Sequence, residues 1–256
     1  MSDPRATNPY VNPIPGTTQS GGPSGTTRPG LPSALGVKPD ARLARAFLTQ
    51  SFLWMFVGLL VSAGVAFWVQ TSAQLTAFAA DNIFLLFIGQ LALVLGISWG
   101  INKISATVAL GLFFVYAATL GLTLGLIIGS YEGASVVTAF LSASAMFGGA
   151  AIYGATTKRS LASLGGILFM AVIGLVVASV VNIFFASSVL TWIISLVGVV
   201  IFTALTAYDV QRIQNGDLAV ATGSMEKAAV MGALRLYLDF INLFVFMLRL
   251  FGGNRN

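Results

Sequence analysis

Between Ala46 and Tyr208 the chain carries five charged residues: Asp81, Lys103, Glu132, Lys158 and Arg159. Everything else in that stretch is apolar, small or uncharged. A soluble domain carries about 25% charged residues; this chain has 8%, with 57% hydrophobic. So little charge cannot clothe a surface in water, so the solvent of this chain is lipid. A helix needs ~20 apolar residues to cross the hydrocarbon. Seven segments meet that length, near 47–69, 83–101, 106–129, 134–156, 161–185, 189–210 and 229–251. The fold class expected is all-α, a polytopic bundle of seven transmembrane helices occupying residues 42–252.

The five isolated charges all fall between these segments. Lys38, Arg42 and Arg45 precede the first, Lys103 follows the second, Lys158 and Arg159 follow the fourth, and Arg212 and Lys227 follow the sixth. The alternate connections, near 70–82, 130–133 and 186–188, hold no Lys or Arg, but carry Asp81 and Glu132. Basic loops stay in the cytoplasm, so the N-terminus is expected there and the C-terminus outside. Arg249 and Arg255 run against that rule at the last crossing. The seventh segment is interrupted by Asp239, and its uncharged stretches between Arg235 and Arg249 are short. Charge within a membrane faces the protein interior. That places the seventh helix at the centre, wrapped by the other six.

Residues 1–41 are a different material. All eight prolines lie between Pro4 and Pro39, among six glycines and many Ser, Thr and Asn. Such a segment cannot bury enough apolar surface to offset its chain entropy, so a disordered cytoplasmic tail is expected. It is a candidate for docking a partner. Gly121, Gly125 and Gly129 recur every fourth residue, and Gly148, Gly149 and Gly154 provide further small surfaces. These suit close helix packing where lipid removes the hydrophobic drive.

With neither cysteine nor histidine in the sequence, thiolate chemistry and the usual near-neutral titrating group are excluded. The net charge of +5 is dispersed over tails and short loops, with no basic helical face. That excludes a nucleic-acid footprint. Proton chemistry must therefore come from carboxylates. Asp209 ends the sixth segment and Asp239 lies in the seventh, one turn past Arg235. Both lie near the cytoplasmic ends of antiparallel helices, at similar depth. Two carboxylates in a poorly solvated site cannot both ionise cheaply and tend to share a proton. Protonation lets helices close; deprotonation favours opening or recruits a cation. Calcium takes oxygen ligands, which such a pair supplies. For Asp209 a surface pairing with Arg212 is the plain alternative, and for Asp239 a pairing with Arg235. Asn242, three residues after Asp239, is placed to hydrogen-bond its carboxyl. Tyr208 and Tyr237 read as interfacial anchors.

These stretches resemble the signature of the Bax inhibitor-1 family, the transmembrane Bax inhibitor motif proteins with bacterial YccA-like members. The similar segments are IFTALTAYDVQRI at 201–213, LRLYLDFINLF at 234–244, YEGASVVTAF at 131–140 and VNIF at 181–184. The resemblance covers about residues 42–252. It implies seven helices with the last one central. It implies a pH-sensitive leak for calcium or other cations, gated by paired aspartates that match Asp209 and Asp239. It also implies a basic residue at the cytoplasmic end of the second helix, for which Lys103 is the candidate. Some relatives place a carboxylate within that helix, where this chain has Gln90. Calcium is then the permeant ion and no cofactor is expected. Short loops and the absence of organelle signals set the expectation of a bacterial plasma membrane, and some bacterial relatives are tied to a membrane-bound ATP-dependent protease. A different reading of the pair is an intramembrane aspartyl protease. Tyr208-Asp209 fits its first motif, but Tyr237-Leu238-Asp239 does not fit the second, and no proline follows Pro39.

Overall fold

The computed structural model describes residues 41–252. The proline-rich tail, with any docking role, lies outside the described residues apart from Ala41. Nine helices and no strands occur among the described residues: α1 Ala41–Thr71, α2 Ala73–Asp81, α3 Ile83–Gly100, α4 Ala106–Gly129, α5 Gly133–Thr156, α6 Leu164–Phe185, α7 Ser188–Gln214, α8 Asp217–Thr222 and α9 Met225–Phe251. Seven are long and apolar enough to span a membrane.

Serine sets several of the starts. Ser105, Ser187 and Ser224 each turn a hydroxyl back to accept from the backbone N–H three residues on, at 3.2, 3.3 and 3.5 Å. This satisfies donors that a helix N-terminus otherwise leaves unpaired. Two short helices depart from the expectation of plain loops. Helix α2 fills 73–81 behind its cap Ser72. Helix α8 is bracketed by Gly216 and Gly223, both at positive φ. Each is too short to span, so membrane-length arguments pass over it.

Helix α9 is central, as its charges require. In its most apolar stretch, 78% of residues are buried inside the bundle, against 11% in α3 and in α6. The ring around it is narrower than expected. Helices α1, α4, α5 and α7 pack on α9, whereas α3 packs chiefly on α4 and α6 on α7. The physical reason is the reversal that lipid imposes. Helices α3 and α6 carry no charged side chain and lose little by facing hydrocarbon, while α9 must hide Arg235 and Asp239 from it.

Small residues decide which helices touch. A Cβ added at Gly121 would meet the Ser62 carbonyl oxygen and Val65 Cβ at 2.8 Å, and one at Gly125 would meet Val69 Cβ at 2.7 Å. These two glycines seat α4 on α1. Gly129, Gly148 and Gly149 face open space, so the repeat works at two of its three positions. Gly154 lies directly on the backbone of Ala207, closing α5 against α7.

Serines tie α1 to the central helix. Ser51 Oγ donates to the Ala229 carbonyl at 3.2 Å. Ser62 Oγ lies 2.6 Å from the Tyr237 hydroxyl and 2.8 Å from the Ala117 carbonyl oxygen. With one proton each, Tyr237 donates to Ser62 and Ser62 donates onward to a carbonyl. Tyr237 is therefore a fully buried tie among α1, α4 and α9, its ring edge-on to Phe113 and Tyr116. This corrects its reading as an interfacial anchor.

Candidate functional site

Along α7, Phe202, Leu205, Asp209 and Arg212 recur at three- and four-residue spacing and so share one face. The matching face of α9 carries Met231, Leu234, Arg235, Leu238, Asp239 and Asn242. Together with Tyr208, these faces line a cavity of about 450 Å³, which Ser98 of α3 and Gly165, Phe169 and Val172 of α6 complete. Both aspartates are buried, each 4% exposed. The charged groups on this cavity are Asp209, Asp239, Arg212 and Arg235.

Arg235 joins the two helices. Its Nη1 donates to Asp209 Oδ1 at 3.2 Å. The plain alternatives fail for both aspartates. Asp209 is not a surface residue, and the ion pair it makes is with Arg235 of α9 rather than Arg212 on its own helix. Arg235 in turn spends its Nη1 on the neighbouring helix rather than on Asp239 at i+4. The carboxylate Oδ2 of Asp239 is buried with no hydrogen-bond partner, as is the Nε of Arg235. A buried acceptor without a donor is costly, and more so when ionised. The site thus holds one carboxylate paired with an arginine and one with an unmet buried oxygen.

The supporting residues divide. Asn242 lines the cavity, but its Nδ2 donates to the Leu238 carbonyl at 2.8 Å rather than to Asp239. Lys103 is exposed and is not among the lining residues. Helix α3 ends at Gly100, whose carbonyl accepts from the Lys103 N–H at 2.8 Å. The basic partner of the pair is Arg235, and what α3 contributes is Ser98. Lys227 instead reaches this turn, its Nζ donating to the Asn102 carbonyl at 3.3 Å. Gln90 is 7% exposed and donates to the Thr119 carbonyl at 2.9 Å and to Thr123 Oγ1 at 2.8 Å. It fastens α3 to α4, away from the aspartates.

No cluster of three or more metal-ligating side chains occurs among the described residues. Any calcium reaching this cavity would meet the carboxylate oxygens of Asp209 and Asp239. That is short of the ~6–8 oxygens of a tight site.

Gln211 was not anticipated. It sits one turn after Ala207, is 9% exposed, and binds the α5–α6 connection at two points. Its Oε1 accepts from the Leu161 N–H at 2.7 Å and its Nε2 donates to the Arg159 carbonyl at 2.9 Å. Nothing in the local pattern of α7 connects residue 211 to residue 161.

Six apolar spans together with a seventh that is buried, charged and central define a polytopic membrane protein whose polar chemistry is internal. The family model described as "Inhibitor of apoptosis-promoting Bax1" matches residues 44–256. The chain belongs to this Bax inhibitor-1 family. It is 44% identical to the inner membrane protein YbhL of Escherichia coli over 225 residues, covering 86% of this chain and 96% of that one. A protein of Borreliella burgdorferi is 41% identical over 224 residues, covering 86% and 97%. Protein YrjE of Lactococcus lactis is 40% identical over 219 residues, covering 82% and 93%.

Proposed function

We propose that this protein is a pH-sensitive leak channel for calcium and other cations, gated by Asp209 and Asp239 as a proton-sensing pair. The supporting observation is the joint burial of both carboxylates on one cavity, with a single arginine bridging the helices that carry them. We place it in a bacterial plasma membrane with its N-terminus in the cytoplasm. The inner-membrane name of the Escherichia coli relative and the basic alternate loops support that placement.

Arg235 couples α9 to α7 through Asp209. When the pair holds a proton, one negative charge faces the Arg235 bridge and the helices stay closed. When the proton leaves, the second charge repels the first in a medium that screens poorly. Asp239 Oδ2, without a donor, is the oxygen that then gains most from water or a cation. Separation of α7 from α9 opens the cavity, and the carboxylates become the first ligands of an entering cation. Flux therefore rises as pH rises. The Arg235 ion pair also argues against use of the two carboxylates as a hydrolytic dyad, because one of them is already committed to a cation.

Calcium flux into liposomes over a pH series tests this. The wild type should conduct more at higher pH. Asp239→Asn, which fixes the neutral form, should hold flux near its low-pH level throughout. Asp209→Asn removes the partner of Arg235 as well, and should flatten the pH response while altering the basal leak. If both variants keep wild-type flux and pH dependence, the proposal fails.

A further inference from the structure

The turn of α7 that carries Asp209 is gripped from its other side by the α5–α6 connection. Gly154 of α5 rests on the Ala207 backbone, and Gly165 of α6 rests against the Tyr208 hydroxyl. Leu161, 8% exposed, packs with Ala150 and Ala207. The polar fastening is Gln211, whose carboxamide holds the Leu161 N–H and the Arg159 carbonyl at 2.7 and 2.9 Å. Residues 207 and 211 thus touch the connection and residue 208 touches the start of α6, while residue 209 touches Arg235. Glutamine fits this place chemically. One end must accept and the other donate. Glutamate at the same length would set an acceptor against the Arg159 carbonyl, and asparagine would be a methylene short.

We infer that Gln211 is a positioning residue that locks the α5–α6 connection onto α7, so that this loop releases when Asp209 moves away from α9. The lock rests on the gating reading for its effect on flux, but the loop's own attachment can be read without any ion. Asp209 faces Arg235 and Asp239 on α9 and Arg212 and Tyr208 on its own helix; the cavity residues of α3 and α6 are Ser98, Gly165, Phe169 and Val172, none of them titratable. A pH response of the lock therefore traces to the aspartate pair.

The loop carries its own reporter. Lys158 and Arg159 are exposed tryptic sites, and cleavage after Arg159 severs the bond whose carbonyl Gln211 holds. The full chain is digested briefly in detergent across a pH series. Cleavage after Arg159 is compared with cleavage after exposed Lys103, which cancels the protease's own pH dependence. In the wild type the ratio should rise with pH. In Gln211→Met, of similar length but with neither hydrogen bond, it should be high at every pH, roughly tenfold above wild type at the low end, as expected for loss of two ordinary hydrogen bonds. Gln211→Asn, which keeps both groups but is a methylene short of its partners, should fall between, and serves if the methionine variant elutes aggregated. In liposomes, Gln211→Met should flatten the pH response of flux. A cleavage ratio unchanged in both variants overturns the lock. So does a raised ratio with an unaltered pH profile of flux, since that marks a merely structural tie. If the wild type carries no flux at all yet its ratio follows pH and that of Gln211→Met does not, the lock stands and the leak-channel reading falls.

Discussion

Asp239 and Arg235 lie one helical turn apart, yet the arginine reaches past its own helix to Asp209. That choice makes the ion pair a link between helices rather than a local neutralisation. Removing it should be felt both in stability and in gating. A wholly buried pair broken on one side costs ~3–5 kcal/mol, an exposed one about 1 kcal/mol or less. Arg235 has a side chain 33% exposed against 6% for Asp209, so solvent screening discounts the loss to the range between. Arg235→Gln should therefore lower the thermal midpoint of the purified protein, and Arg235→Gln combined with Asp209→Asn should recover part of the loss. A double variant no more stable than the single one would remove the ion pair from the account. Tyr237 makes a quieter case. Tyr237→Phe keeps the ring packing on Phe113 and Tyr116 but loses the bond to Ser62, a loss of about 1 kcal/mol. It should lower the thermal midpoint slightly and leave the pH dependence of flux alone.

At the scale of the helix, packing is set by a few positions without side chains. A methyl group at Gly121 meets backbone and a Cβ of α1 at 2.8 Å, neither able to swing aside. Overpacking of this kind costs ~1–3 kcal/mol. Gly121→Ala should therefore destabilise the protein, while Gly129→Ala, facing open space, should not; thermal unfolding of the two variants in one detergent makes the comparison. Gly154→Ala would push α5 off Ala207, two residues before Asp209. It should disturb loop cleavage after Arg159 along with stability, since the same turn of α7 carries both. Helices α2 and α8 show the opposite relation. They contribute local structure between spans, with serine and glycine boundaries, and neither is demanded by the membrane.

The whole molecule sorts its helices by polarity in reverse of a soluble protein. Those least polar, α3 and α6, sit at the rim; the one with the most charge, α9, sits at the centre. Exchange of amide hydrogens should follow that order. The mid-helix amides of α9 near 236–244 should exchange more slowly than those of α3 near 86–94, in lipid nanodiscs, measured by mass spectrometry. Buried central elements open only with the whole fold, whereas rim helices open locally. Faster exchange in α9 than in α3 would contradict its central placement.

Much of this was legible in the residues. Seven spans follow from lengths of uncharged chain, and the central place of α9 follows from the cost of Asp239 in lipid. The two aspartates stand out because charge is so scarce around them. What the pattern could not convey is pairing between segments far apart in the chain. Which carboxylate Arg235 would take and what Gln211 would hold depend on helix rotation. Those were settled by close packing at Gly121, Gly125 and Gly154 and by the hydrogen bonds of Ser62 and Gln211. Hydrophobic length is a one-dimensional property and is fixed by order along the chain; the partner of a buried charge is a three-dimensional one, fixed when neighbouring helices choose their faces.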